Sequence, residues 1–461
     1  MAFKHRSNSK LRNKLGPAGA DFLEYAVAAI DRILPHAETT KWRVEATTPA
    51  TSVKWLDADR RSLRIRIGLK VGSGYLVEGQ IQRRRVPTTG VGSVARTLDL
   101  REQDICRTIA SKLAGLVGPE SGQGTESLTA LRATFDERVV AAHLAAHLKV
   151  KLDLGRLFGT LRRLAENTYE NQAQSLGCVI DVGDDSSSSA GPSFPDDFLD
   201  RKRYRALSDG YRTAYVVSGT GQLLRFEQLA QADSNRSQTH YPEWSRDLAF
   251  ASRGNRLGLA LTRQGDLLAF DGGSLRFTYR FGQWQYWNHS HLIDLLRNAA
   301  RVQHVPTNII PRVVAAVYRA ALDTSFRRSG GLFVILRNQG NLHDLVRSGD
   351  GIDDPNRSAR EKAFDRALPS RLLPQLPRSL VAELAALDGA IVLSNSGRIL
   401  AYGAVLEPKR KGKIAAAEGS RTKAAIGASK YGIAIKISSD GDITVYVDGA
   451  NFIHLGAGRG A

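Results

Sequence analysis

The chain has 461 residues, 42% of them hydrophobic, which suffices for ordinary globular cores and a length of about three domains. Its two cysteines, Cys106 and Cys178, show no CxxC spacing, which excludes a disulfide scaffold and a cysteine-ligated zinc site and favours a reducing, cytoplasmic setting. No apolar run approaches the ~20 residues of a membrane span, the basic start MAFKHRSNSKLRNK lacks the apolar region of a secretory signal, and the net charge of +19 attracts polyanions, nucleic acid among them, while also serving solubility.

Residues Met1 to Lys14 read as a basic tail. Phe22, Tyr25, Ala26, Ala29, Ile30 and Ile33 recur at helical spacing and predict a helix over Ala20–Leu34, stopped by Pro35. Ser52–Trp55, Leu63–Val71 and Tyr75–Gln82 alternate as strands, with turns at Asp57–Asp59 and Gly72–Gly74. The Arg83–Arg85 run could hold a polyanion or simply face solvent. Helices are expected at Asp104–Leu116, Leu128–Leu148 and Leu152–Tyr169. Between the first two, the loop Gly118–Thr125 has glycines but lacks the lysine of a phosphate-binding loop. His143 and His147 stand four apart on one helix face, but no Glu follows His143, so the zinc-protease pattern fails and packed surface histidines are the simpler reading.

From Gln174 the pattern changes to short strands. Gly177–Val182 ends in a serine-rich loop through Ser186–Ser189. Tyr215–Val217, Leu223–Phe226, Leu257–Leu261, Leu267–Phe270 and Leu275–Phe281 predict a meander. Trp284, Tyr286, Trp287, His289 and His291 form an aromatic cluster, either a base-stacking surface or a packed seam. Helices follow at His291–Arg301 and Asn308–Phe326, the second leading into an apolar strand at Gly331–Leu336.

The most informative stretch is Leu387–Gly403, which reads as a strand at Ala390–Leu393, a tight turn at Asn395–Gly397 and a second strand at Arg398–Ala401. Asp388 stands at the mouth of this hairpin beside Gly389. After a basic loop, Gly419-Ser420-Arg421-Thr422-Lys423 leads into an alanine-rich helical pattern at Ala424–Ser429. A small lead-in, two cations and a helix start favour an anion. A carboxylate at one loop and a cationic helix start at another suit nucleotide chemistry.

At these residues the sequence resembles the diadenylate cyclase domain family. Asp388-Gly389-Ala390 matches that family's Asp-Gly-Ala motif. Gly419-Ser420-Arg421-Thr422-Lys423-Ala424-Ala425-Ile426-Gly427 matches its Gly-Thr-Arg-His-Arg motif, departing at Ser420, Thr422 and Lys423. Gly331–Leu336 looks like the first core strand and Arg347–Asp353 like the loop that follows it; the resemblance spans roughly Pro306 to Asn451. It implies an α/β C-terminal domain, a mixed central sheet flanked by helices, preceded by α+β regions. The expected division is 1–152, a basic N-terminal region; 153–304, a strand-rich sensor region; and 305–461, the nucleotide-binding domain.

The implied activity is condensation of two ATP to cyclic di-AMP in a homodimer or higher oligomer under control of the N-terminal regions. By the resemblance Asp388 is the catalytic residue and binds Mg²⁺ or Mn²⁺. Gly389, Ala390, Gly419, Ser420, Arg421, Thr422, Lys423 and Ser438 bind the nucleotide. Thr422 for His and Lys423 for Arg lose an imidazole and a planar fork, which leaves open a module that holds a nucleotide without turning it over. A nucleic-acid-binding protein is the third reading, on charge alone.

Overall fold

The computed structural model describes residues 21–46, 54–57, 63–69, 75–83, 98–117, 133–169, 172–183, 192–196, 208–229, 240–303, 305–409 and 419–456. The tail Met1–Lys14, Arg84 and Arg85, the loop Gly118–Thr125, the run Ser186–Ser189 and most of the basic loop, 410–418, lie outside the described residues.

The fold is mixed α/β. Helix α1 (21–33) leads into four antiparallel strands, β1 (Ala37–Ala46), β2 (Lys54–Asp57), β3 (Leu63–Leu69) and β4 (Tyr75–Arg83), in the order β1-β4-β3-β2. Helices α2 (Leu100–Val117), α3 (Phe135–Leu148) and α4 (Leu154–Ala165) follow. The helix expected to run to Tyr169 stops at Ala165, because Thr168–Tyr169 (β5) pairs with Gln172–Ala173 (β6) in a small hairpin.

The central sheet contains β7 (Leu176–Asp181), β8 (Thr213–Ser218), β9 (Leu223–Gln228), β10 (Arg256–Leu261), β11 (Leu267–Asp271), β12 (Ser274–Arg280) and β13 (Gln283–Tyr286). Its order is β13-β12-β11-β10-β7-β8-β9, so it is not a plain meander: β7 inserts beside β10 and runs parallel to β8. The aromatic cluster supplies the unexpected β13, and Trp284, Tyr286, Trp287, His289 and His291 are all buried. They pack as a seam. The His289 ring bridges the Tyr318 hydroxyl (2.6 Å) and the Leu275 carbonyl (2.7 Å). His143 is buried on α3, where burial lowers its pKa to about 4, and the His147 ring approaches Arg101 and Asp271.

Strand alternation divides the core. Cys178, Ile180, Leu257, Leu259 and Leu261 join α1–α4 on one side of the central sheet. Val179, Ala260, Leu268 and Phe270 face the other way, onto α6 (His289–Val302) and α7 (Ile310–Arg327). These follow the short helix α5 (Arg246–Ala251). Helix α7 is buried nearly all round, as expected of a helix between two sheets.

Its other side meets the C-terminal sheet, made of β14 (Gly331–Leu336), β15 (Ala390–Leu393), β16 (Ile399–Ala404), β17 (Gly432–Ile437), β18 (Ile443–Val447) and β19 (Ala450–Leu455). The order is β16-β15-β14-β17-β18-β19, with β14 and β15 parallel and the remaining pairs antiparallel. Helices α8 (Ala359–Ala367) and α9 (Arg378–Ala386) link β14 to β15, and α10 (Ser420–Ala428) precedes β17. Edge strand β16 is covered by the loop after β14, whose Gly351 bridges Ala401, and by the Arg357–Asp365 ion pair, to which the Tyr402 hydroxyl also binds.

Helices α7 and α9 are tied by a second inward ion pair. Arg378 grips Asp323 through two nitrogens at 2.7 and 2.8 Å, and Asp323 also accepts from the Glu243 amide at 2.8 Å. Removing one partner leaves the other charge unpaired. Asp323→Ala should therefore cost about 3 kcal/mol, read from the urea midpoint. A loss under about 1 kcal/mol would show that the pair is dispensable.

Candidate functional site

The site is assembled at one end of the C-terminal sheet: the N-terminal end of the parallel pair β14/β15 and the C-terminal end of β17. Asp388 lies just before β15. The next residue, Gly389, has φ +111°, and a Cβ there would sit 2.5 Å from the Gly403 carbonyl carbon and 2.7 Å from Ala404 backbone atoms. Only glycine fits where β15 and β16 approach so closely, and the register shifts between Ala390 and Val392. The outcome is that the Asp388 side chain is fully exposed, flanked by half-exposed Leu387 and Val405.

Arg421 reaches the same place from the first turn of α10. Its guanidinium lies across Gly330, which has φ +68° and whose missing Cβ would overlap Nη1. Arg421 Nη2 stands 4.0 Å from Asp388 Oδ1. So loose and solvent-exposed a pair adds little to stability, and both groups remain accessible to a ligand.

Helix α10 begins at Ser420, four residues earlier than the alanine pattern suggests, because Gly419 takes the N-cap position with extended backbone. Ser420, Arg421, Thr422 and Lys423 thus form its first turn rather than a lead-in. The first-turn amides have no intrahelical acceptor, and the Gly419 cap offers no side chain to them. Arg421 and Lys423 are two apart, so they project to different sides of the helix; Lys423 is exposed. Ser438 closes the β17–β18 turn, its hydroxyl accepting from the Asp442 amide at 2.9 Å. Ala390 is buried as the first residue of β15.

The structure therefore brings Asp388, Gly389, Arg421 and the Ser438 turn to one sheet end and turns Lys423 outward. It also adds residues that sequence reasoning missed. Lys436 on β17 donates to Thr422 Oγ1 at 2.8 Å. Asp350, in the loop after β14, accepts from the Val405 amide at 2.8 Å, beside the Asp388 turn. Asp442 faces His454, Arg280 and Lys436, but burial outweighs these cations and raises its pKa. The Arg347–Asp353 loop was a visible signal for Asp350. Lys436 had none, since a lone lysine in an apolar strand discloses no partner without the register.

Among the described residues no group of three or more His, Cys, Asp or Glu side chains converges as a metal site. A single accessible carboxylate still fits Mg²⁺, which is commonly held by one or two carboxylates together with substrate phosphates. Among the described residues no helix is long and apolar enough to cross a membrane.

Gly389→Ala should lower stability by at least about 2 kcal/mol through strain and overlap at the β15–β16 contact. Gly419→Ser, at the open N-cap, should be neutral or slightly stabilising. Urea denaturation of both variants checks this, and equal midpoints would show that β15 and β16 can part at no cost.

No protein-family description matches this chain, and no curated protein matches it. Solved structures do. A hypothetical membrane-spanning protein from Bacillus cereus is 20% identical with a TM-score of 0.25, over 36% of this chain and 76% of that one. A double mutant of DacA from Staphylococcus aureus, a diadenylate cyclase, is 24% identical with a TM-score of 0.23, over 31% of this chain and 86% of that one. Likeness at this level fixes no activity.

Proposed function

We propose that the end of the C-terminal sheet binds ATP and, facing a second copy of itself, condenses two ATP to cyclic di-AMP. The observation that carries this reading is the exposed Asp388 carboxylate 4.0 Å from the Arg421 guanidinium, each given room by a glycine with positive φ. A carboxylate that is neither buried nor tightly paired is available as a proton acceptor, and the adjacent arginine can neutralise phosphate.

In the proposed reaction the 3′-oxygen of one ATP attacks the α-phosphorus of the other. A new O–P bond forms, the α–β anhydride bond breaks and pyrophosphate leaves, while Asp388 takes the hydroxyl proton. The step then repeats with the roles exchanged. Arg421, the Ser420 and Thr422 hydroxyls and the free amides after Gly419 hold the triphosphate. Gly389 and Ala390 bring backbone close to the nucleotide, Ser438 lines the far side, and exposed Lys423 adds charge at the rim. Mg²⁺ or Mn²⁺ arriving with the phosphates would take Asp388 as its protein ligand and supply charge neutralisation. Each site offers half of the reaction, so a dimer is required at the moment of chemistry. The N-terminal and central regions would act as sensors.

Two observations favour a second reading, a module that binds nucleotide without turnover: the Thr422 hydroxyl already accepts from Lys436, and Lys423 is exposed on a different side of α10 from Arg421. A direct assay separates the two. The full chain with ATP and Mg²⁺ or Mn²⁺ should yield cyclic di-AMP and pyrophosphate, read by mass. Asp388→Asn should bind ATP with parental affinity and form no product. ATP binding with no product from the parent in either metal would establish the second reading, and product from Asp388→Asn at the parental rate would remove Asp388 from the chemistry.

A further inference from the structure

A cavity of about 410 Å³ lies at the β9 edge of the central sheet, lined by Arg212, Gln228, Leu229, Arg246 and Asp247. Two separate segments build it. The first is the base of the β8–β9 hairpin: Arg212 precedes β8, Gln228 ends β9, and the Leu229 amide donates to the Arg212 carbonyl at 2.7 Å. Asp209 fixes this backbone by accepting from the amides of Tyr211, Arg212 and Thr213 at 3.0, 2.8 and 3.0 Å. The second segment is the start of α5, where Arg246 and Asp247 follow the turn at Glu243–Ser245. That turn is anchored in its own right. The Ser245 hydroxyl donates to the Pro242 carbonyl at 2.9 Å, and the Glu243 amide donates to Asp323. Tyr211 and Trp244 meet edge to face with ring centroids 6.5 Å apart, which joins the two segments.

The lining carries two cations and one carboxylate. Arg246 Nε donates to Asp247 Oδ1 at 3.2 Å, which orients the guanidinium. Among the described residues its two terminal nitrogens have no protein partner, and the exposed Arg212 guanidinium has no hydrogen bond or ion pair. Gln228 adds an amide that both donates and accepts, and buried Leu229 adds an apolar patch. Guanidinium forks match the oxygens of a carboxylate or a phosphate. One exposed arginine says little, because water satisfies it. Two on one concavity, brought together from separate anchored segments, form a pre-set receptor for negative charge. The volume decides the size of the ligand: it falls within the roughly 300–1,000 Å³ of small-molecule sites, far more than an inorganic ion fills.

We propose that this cavity binds a small organic oxyanion, a carboxylate or phosphate ester of metabolite size, through Arg212 and Arg246. The charged group takes the two guanidinium forks, Gln228 bonds a polar substituent, and Leu229 packs against the carbon skeleton. None of these residues belongs to the Asp388–Arg421 site, so this binding is independent of the nucleotide reading.

The test is calorimetric binding of citrate, glucose 6-phosphate and inorganic phosphate to the full chain, with melting temperatures recorded against sodium chloride at equal ionic strength. At least one of the two organic anions should raise the melting temperature and bind more tightly than inorganic phosphate. Arg212→Met and Arg246→Met should each weaken that binding about tenfold or more, the loss of a charge-assisted contact. Without ligand both variants should melt near the parent, since both side chains reach solvent. Arg246→Lys should recover only part of the affinity, because an ammonium lacks the fork. Arg421→Met should bind the organic anion as the parent does. A response no larger than that to chloride, binding unchanged in either methionine variant, or inorganic phosphate bound as tightly as the organic anions overturns the proposal. Loss of binding in Arg421→Met instead would place the anion at the C-terminal sheet, which also overturns it. Failure of the parent to bind ATP removes the nucleotide reading and leaves this one standing.

Discussion

The period-two alternation of β14, β15, β17 and β18 governs the C-terminal half of the molecule. Phe333, Ile335, Ile391, Leu393, Ile433, Ile435 and Val445 face α7 and merge with the core beneath the central sheet. Leu332, Val334, Val392, Ala434 and Tyr446 face α10. With both faces covered, the strands read as nearly unbroken apolar runs. Polar side chains are affordable only at an end, where a row borders solvent, and that is where Lys436, Thr444, Asp388 and Arg421 are found. A one-residue slip of β17 would drive Lys436 into the α7 core, so the same packing that stabilises the sheet fixes the geometry of the site.

Glycine completes that geometry by subtraction. Gly389 lets two backbones meet and turns Asp388 outward, while Gly330 leaves the space that the Arg421 guanidinium fills. Among the described residues neither charged group has a strong protein partner. A site of this kind is organised by backbone and stays chemically open, consistent with a multiply charged ligand that brings its own counter-ions.

Local chemistry made much of the scaffold legible. Gly331–Leu336 and Ala390–Leu393 are strands within the bounds that their aliphatic runs suggest, and Gly397, with φ +82°, makes the Asn395–Gly397 turn. Elements whose identity depends on distant partners were not legible. Trp284 and Tyr286 form a strand because Tyr279 and Phe277 pair with them, not through any alternation of their own. The start of α10 was obscured because Ser-Arg-Thr-Lys carries no apolar periodicity and only the Gly419 cap marks it. In the site, Asp388 and Arg421 could be singled out by residue type. Lys436 could not, because its contact with Thr422 exists only once β17 is threaded between β14 and β18.

Arg280 of β12 bears on how the molecule holds together. It is buried, bonds the Ser325 hydroxyl and carbonyl at the end of α7 and the Asp440 carbonyl in the β17–β18 turn, and lies 3.3 Å from Asp266, which also meets Arg328. The central sheet is thus bolted to the turn that carries Ser438, and α7 is shared by both sheets. Under heat or denaturant the two sheets should melt in a single cooperative transition. A fragment cut before α7 would bare an apolar helix flank and orphan three carbonyl and hydroxyl contacts, inviting aggregation instead of independent folding.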